Sequence, residues 1–194
     1  MYTVLGAFKT RTQRVIWALE ELGLNYEWIN APPQSEQARA INPSGKVPAL
    51  MVDGDLLADS EAILSYLCDK HKGIGFCAGT IDRARQDAHL AFAAEQIDGP
   101  LWVQLRTKRL TGEEPFALSE AVRIWLQDAF EKLQNAIGDG PYLMGEAFTI
   151  ADIFTAQCLG WAKGEGHMLP KPVLEYYRRC YARPAAVLMR QKYL

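Results

Sequence analysis

The sequence has few of the patterns that declare a chemistry on sight. Its four cysteines, Cys68, Cys77, Cys158 and Cys180, form no CxxC pair. That argues against a zinc site or a redox dithiol, and no metal is expected; scattered thiols suit a reducing compartment. There is no excess of positive charge: 21 basic side chains face 23 acidic ones, for a formal net charge of −2. With no basic block, a nucleic acid is not expected as partner. No apolar run approaches the roughly 18 residues of a membrane span, and the opening MYTVLGAFKTRTQRV has no long apolar core behind a basic start. These absences point to a soluble, cytoplasmic protein with no membrane partner. One more lack matters below: residues 3–25 contain no Tyr, Ser or Cys.

What is present is a chain of 194 residues with 49% hydrophobic content, enough for one large domain or two small ones with a substantial core. YTVLG at residues 2–6 reads as a short buried strand. Val15, Ile16, Leu19 and Leu22 then share one helical face, and Gly23 supplies a stop. NYEWIN alternates as a second strand, and APPQSEQARAINPSGK reads as a connecting loop. PALMV, Asp53-Gly54 and DLLA read as two strands in a tight hairpin, because Asp-Gly favours the backbone of such turns. Ser60 is placed to cap a helix carrying Ile63, Leu64 and Leu67. Within the first of these strands Pro48 has no N–H to give a central ladder, so it must open the strand, lie on an edge or form a turn.

From residue 82 strand signals stop and helical periodicity takes over, with GIGFCAGT, residues 73–80, as the linker. The first helix of this half is disturbed at Gly99-Pro100. A second runs from Ser119, as cap, to Gly138, with Val122, Trp125, Leu126, Ala129, Phe130, Leu133 and Ile137 at helical spacing. In FTIADI, Thr149 and Asp152 form a near capping box, which makes Asp152 a folding residue. Pro184 stands at the first position of a short final helix. The expected organisation is a βαβ-ββα domain over residues 1–75 and an all-α domain over residues 82–194.

This order of elements, with NPSGKVPAL, DSEAIL, FTIADI and YARPA in sequence along it, resembles the cytosolic glutathione S-transferase family, bacterial type included. The resemblance covers nearly the whole chain and implies a thioredoxin-like N-terminal domain followed by an all-α C-terminal domain. It implies that Pro48 is a cis-proline, and that Val47 beside it presents its N–H and C=O to the cysteinyl backbone of glutathione in the manner of an added strand. It places Asp59 and Ser60 at the γ-glutamyl end. There the Asp59 carboxylate matches the ammonium, and Ser60 at a helix N-terminus matches the carboxylate. Ser60 is equally readable as a helix cap, and both roles can hold. Lys46 matches a cation near the glycyl carboxylate, or a solvated loop lysine. Gln34 and Gln37 receive no role.

A thiol such as that of glutathione has a pKa near 8.5, so an enzyme must favour the reactive thiolate. Family members use a Tyr, Ser or Cys between the first strand and first helix, and this chain has none there. Counting back from WALEELGL puts Lys9 at the usual serine position with Thr10 beside it. Thr10 is the first choice for the thiol, with a helix cap as its other reading. Thr12 and the charge of Lys9 are the alternatives, and Arg11 and Arg14 are either surface residues or a source of positive potential. Phe8, Trp102, Leu105 and Arg106 are expected to wall an electrophile pocket, although aromatics at helical spacing also read as core. His89 and His167 have no spacing partner and read as structural or exposed.

The resemblance implies a glutathione transferase that passes the thiolate to a small hydrophobic electrophile or a peroxide, in a homodimer, with glutathione as co-substrate and no metal. A glutathione-binding scaffold that lost turnover is the alternative from another class, motivated by the missing Tyr, Ser and Cys. A glutathione-dependent isomerase or dehalogenase would differ mainly in its pocket.

Overall fold

Tyr2–Leu5 is buried along its whole length, as a central strand must be. In the computed structural model, which describes residues 1–193, it forms β1 of a four-stranded mixed sheet. β2 (Tyr26–Ile29) pairs parallel with one edge of β1, and β3 (Ala49–Val52) pairs antiparallel with the other. β4 (Asp55–Ala58) completes the order β2-β1-β3-β4. The β3–β4 turn is the anticipated Asp-Gly hairpin, with φ of 52° at Asp53 and 103° at Gly54, the two positive values that this tight turn requires.

The right of α1 (Gln13–Glu21) to cross between β1 and β2 comes from its buried run Val15–Leu19. It packs beside α3 (Ser60–His71), whose Ile63, Leu64 and Leu67 are buried. The segment anticipated as loop between β2 and β3 contains a short helix, α2 (Glu36–Ile41), with Ser35 Oγ accepting from Ala38 N–H. At six residues it is too short to show a period. Leu5, Ala31, Ala38 and Ala49 close a small core there, with Ile29, Ile41 and Val47 packed on it.

The chain divides into two compact units: Met1–Thr80 joined by the segment from Ala182 onward, and Ile81–Tyr181. Pro184 does open the last helix, α9 (Pro184–Tyr193). That helix, however, packs on α1 and belongs with the sheet, whereas the sequence carried the helical half to residue 194. The reason is chemical. Tyr193 meets Trp28 edge-on at 4.6 Å and packs tilted on Phe8 at 5.5 Å, and Lys192 donates to Glu20 at 2.6 Å.

In the second unit α4 (Ile81–Ala93) passes through a wide π-helical turn at Ala94–Asp98 into α5 (Gly99–Thr111). The disturbance sits where Pro100 has no N–H to donate. α6 (Phe116–Ile137) starts three residues before the expected Ser119 cap, whose hydroxyl instead donates to Glu114 at 3.0 Å. Trp125, read as part of the buried stripe, is 45% exposed and donates Nε1–H to Gln96. α7 (Ile150–Gly164) is almost entirely buried and α8 (Lys171–Tyr181) lies against it. Thr149 and Asp152 form the expected capping box, and the buried Asp152 carboxylate also accepts from Leu143 N–H and the Tyr176 hydroxyl at 2.9 Å each. Among the described residues no helix is long and apolar enough to cross a membrane, and no group of three or more His, Cys, Asp or Glu is placed to hold a metal ion.

Candidate functional site

Three chain segments of the first unit meet at Gly6. With φ of 138°, it turns the chain out of β1, and a Cβ there would stand 2.2 Å from Thr12 Oγ1 and 2.8 Å from Val47 Cβ. Only glycine allows that approach. Its N–H donates to Ile29 O and its carbonyl accepts from Trp28 Nε1–H at 2.8 Å, so the turn is held by β2.

Beyond Gly6 the chain coils into α1 with Lys9 and Thr10 outside helical geometry; Thr10 is extended, at φ −130° and ψ −169°. Its hydroxyl donates to Ala7 O at 2.7 Å and accepts from Thr12 N–H at 3.2 Å. Thr10 is therefore the effective cap of α1. The two threonine hydroxyls lie 2.9 Å apart, with Thr12 wholly buried and Thr10 half-buried. Since the Thr10 proton is given to Ala7 O, Thr12 supplies the proton between them, and an acceptor arriving at Thr10 must displace Ala7 O. Lys9 is exposed and Arg11 half-buried.

The loop before β3 is organised by Asn42, which sequence reasoning missed. Its Oδ1 accepts from Ser44 N–H and Ser44 Oγ, and its Nδ2 donates to Lys46 O at 2.8 Å. Asn-Pro-Ser-Gly is the signal that would have found this Asx turn. Gln34, at φ 67°, donates its N–H to Gly45 O and its side-chain amide to Ser44 O, and Arg39 donates to its Oε1. The Lys46 carbonyl is thus fixed while its side chain is exposed. The Val47–Pro48 peptide is cis. β-Pairing begins at Ala49, so Val47 lies outside the ladder, half-buried beside Gly6.

At the start of α3, Asp59 has φ of 73° and caps the helix, its Oδ1 accepting from Glu61 N–H at 2.9 Å; its side chain is exposed. Ser60 is 4% exposed. Its Oγ accepts from Nη1 of Arg14, at 3.1 Å. Arg14, left open as a surface residue, is 1% exposed on α1. The signal was there: a charged residue stands directly against the apolar run Val15–Leu19.

The structure thus brings Thr12 and Val47 together at Gly6, and Arg14 together with Ser60. Phe8 is 5% exposed and its ring is spent on Tyr193 within the first unit. Trp102 and Leu105 are half-buried and Arg106 exposed on α5 of the second unit. His89 and His167 are both partly buried, and burial holds each below the ordinary histidine value. Chemically, the first unit offers an exposed carboxylate, a serine hydroxyl at a helix N-terminus and a strand end outside its ladder, a set suited to a zwitterionic amino-acid head and a peptide backbone.

Residues 10–74 match the family described as glutathione S-transferase, N-terminal domain, and residues 116–179 match glutathione S-transferase, C-terminal domain. Glutathione S-transferase 4 of Zea mays is 31% identical over 192 residues, covering 89% of this chain and 84% of that protein. The chain belongs to the glutathione S-transferase family. The GstA glutathione S-transferase of Escherichia coli O157:H7 is 30% identical over 63% of this chain, a stretch spanning 60% of that relative's own length. The crystal structure of a glutathione transferase from Methylococcus capsulatus superposes with a TM-score of 0.87 at 27% identity, over 99% of this chain and 98% of that one. The fold is that of glutathione S-transferases: a thioredoxin-like sheet unit and an all-helical unit.

Proposed function

We propose that the chain is a glutathione transferase. The first unit binds glutathione through Val47, Asp59 and Ser60, with Lys46 near the glycyl carboxylate and Pro48 shaping the strand end. The observation that carries this reading is the serine at the first position of α3, held in place by a buried guanidinium beside an exposed carboxylate. An ammonium–carboxylate head fits that pair, and a helix N-terminus favours the anionic half.

Thr10 is the first candidate to donate to the sulfur, because it stands at the start of α1, where the helix also favours an anion; Thr12 and Lys9 are the alternatives. The thiolate then attacks an electrophilic carbon, forming a carbon–sulfur bond as the leaving group departs with its electron pair, or it attacks an oxygen of a hydroperoxide, forming a sulfenic acid as the O–O bond breaks and the alkoxide leaves. A second glutathione thiol converts the sulfenic acid to the disulfide with release of water. Trp102, Leu105 and Arg106 on α5 remain proposed as residues that meet the electrophile. We assign a cytoplasmic location and a homodimer on family resemblance.

A second reading, a glutathione-binding protein without efficient turnover, is favoured by one observation: the Thr10 proton is already given to Ala7 O. Steady-state assays with glutathione and an aryl halide, and separately a hydroperoxide, decide between the two. Glutathione-dependent turnover is expected; retention on immobilised glutathione without turnover of either substrate would establish the second reading.

A further inference from the structure

Arg14 is a cation placed where an apolar side chain would pack. Its neighbours Val15, Ile16, Trp17, Ala18 and Leu19 are all fully buried, and Arg14 itself is 1% exposed. Burying a guanidinium costs free energy unless it is paired and hydrogen-bonded, and one of the residues it reaches is Ser60, 46 positions away. A guanidinium carries five donors and no acceptor. In the Arg14–Ser60 hydrogen bond the serine oxygen therefore accepts, and its single proton must point elsewhere. A serine at a helix start without such a neighbour divides its hydroxyl between donating and accepting orientations.

We propose that Arg14 is a positioning residue for ligand selection: its buried guanidinium fixes the Ser60 hydroxyl as an obligatory donor, so that this end of the site takes a carboxylate-bearing head in preference to a head lacking one. The inference rests on the glutathione reading above and gives it a specificity. The carboxylate concerned is the γ-glutamyl one, which receives the Ser60 proton at the α3 N-terminus while Arg14 occupies the oxygen from behind. Asp59, whose Oδ1 caps Glu61 N–H, serves the ammonium and is indifferent to the carboxylate. Arg14 touches no ligand atom and acts only through Ser60.

The test compares glutathione with its analogue in which the γ-glutamyl residue is replaced by 4-aminobutyryl, which keeps the ammonium and thiol and lacks that carboxylate. Calorimetry of the wild-type protein is expected to show preference for glutathione by about ten- to a hundredfold, the worth of one hydrogen bond to a charged group. Arg14→Gln should lower that preference about tenfold while leaving the analogue's affinity close to wild type. Arg14→Lys, also a donor without an acceptor, should restore much of it. In a Ser60→Ala background the Arg14 substitutions should have no further effect. If Arg14→Gln weakens both ligands equally, or leaves the preference intact, Arg14 is merely structural and the inference fails. Should neither variant fold, guanidinium 1H–15N signals of the wild type, assigned to Arg14 by their shift in Ser60→Ala, decide it. They must move when glutathione is added and stay still with the analogue; signals unmoved by glutathione overturn the inference. A wild-type protein that binds neither ligand instead removes the glutathione reading itself.

Discussion

Arg183 grips Glu21 with two nitrogens, Nε on Oε1 and Nη2 on Oε2, both at 2.8 Å. The pair ties the residue just before α9 to the end of α1, across 162 positions of sequence. Glu21 Oε1 also accepts from Trp17 Nε1–H at 3.0 Å, and the Glu21 side chain is only 7% exposed. Removing the carboxylate takes these bonds away from a partly buried guanidinium and an indole N–H. Glu21→Ala should therefore destabilise the protein by about 2–3 kcal/mol, seen as a lower urea midpoint at unchanged slope. A midpoint equal to wild type would show that the clasp contributes nothing.

Gly6 is where β1, Thr12 and Val47 converge. Gly6→Ala puts a methyl group 2.2 Å from Thr12 Oγ1 at a φ of 138°. The combined cost of overpacking and an unfavourable backbone is about 3 kcal/mol. Glutathione affinity should fall as well, because Val47 lies 2.8 Å from the same methyl position. Chemical denaturation together with a glutathione titration checks both effects. A stable variant with native affinity would show that the three segments separate at little cost.

Thr10 has two jobs to tell apart. As cap of α1 it accepts from Thr12 N–H, and Thr10→Val should cost about 1 kcal/mol of stability for that alone. If Thr10 is the donor to sulfur, Thr10→Val should also raise the pKa of bound glutathione, followed by thiolate absorbance against pH. A titration that does not move while stability falls would leave Thr10 as a cap and pass the thiol to Thr12 or Lys9.

His89 and His167 set an acid limit on the second unit. Burial lowers both from the ordinary 6.5, opposed by Asp152 for His89 and by Glu165 and Glu114 for His167. The native state thus holds fewer protons than the unfolded chain in the window below 6.5. Stability from these two groups is full above 6.5 and falls as pH drops through it. Denaturation midpoints at about pH 7.5 and about pH 5.5 should show the loss, and His89→Gln should shrink it. A variant with the same acid loss as wild type would clear His89 of the effect.

The parts of this fold that were legible in the sequence are those built from neighbours in the chain. Asp53-Gly54 makes its hairpin, Thr149 and Asp152 make their box, and Pro184 opens its helix through contacts of a few residues at most. What escaped was settled at long range or at short length. The place of α9 depends on Tyr193 meeting Phe8 and Trp28, and on Arg183 meeting Glu21, pairings that no local pattern records. α2 is six residues, below the length at which a period shows. Phe116 opens α6 ahead of Ser119, a start that a serine-cap rule does not see. Around the candidate site, the place of Ser60 at the start of α3 and of Val47 just before β3 was readable from motif order. Arg14 reads from sequence as either a surface residue or a source of positive potential, because a charge usually marks a solvated face, and its pairing with a serine on another helix is settled at long range.

The account depends above all on the first unit holding glutathione at the α3 N-terminus. Isothermal titration of glutathione into the purified protein at neutral pH, run beside Ser60→Ala, tests that directly. The wild type should release or absorb heat with saturation at one site per chain, and Ser60→Ala should bind about tenfold or more weakly. A flat wild-type titration, or a Ser60→Ala protein with undiminished affinity, would contradict it.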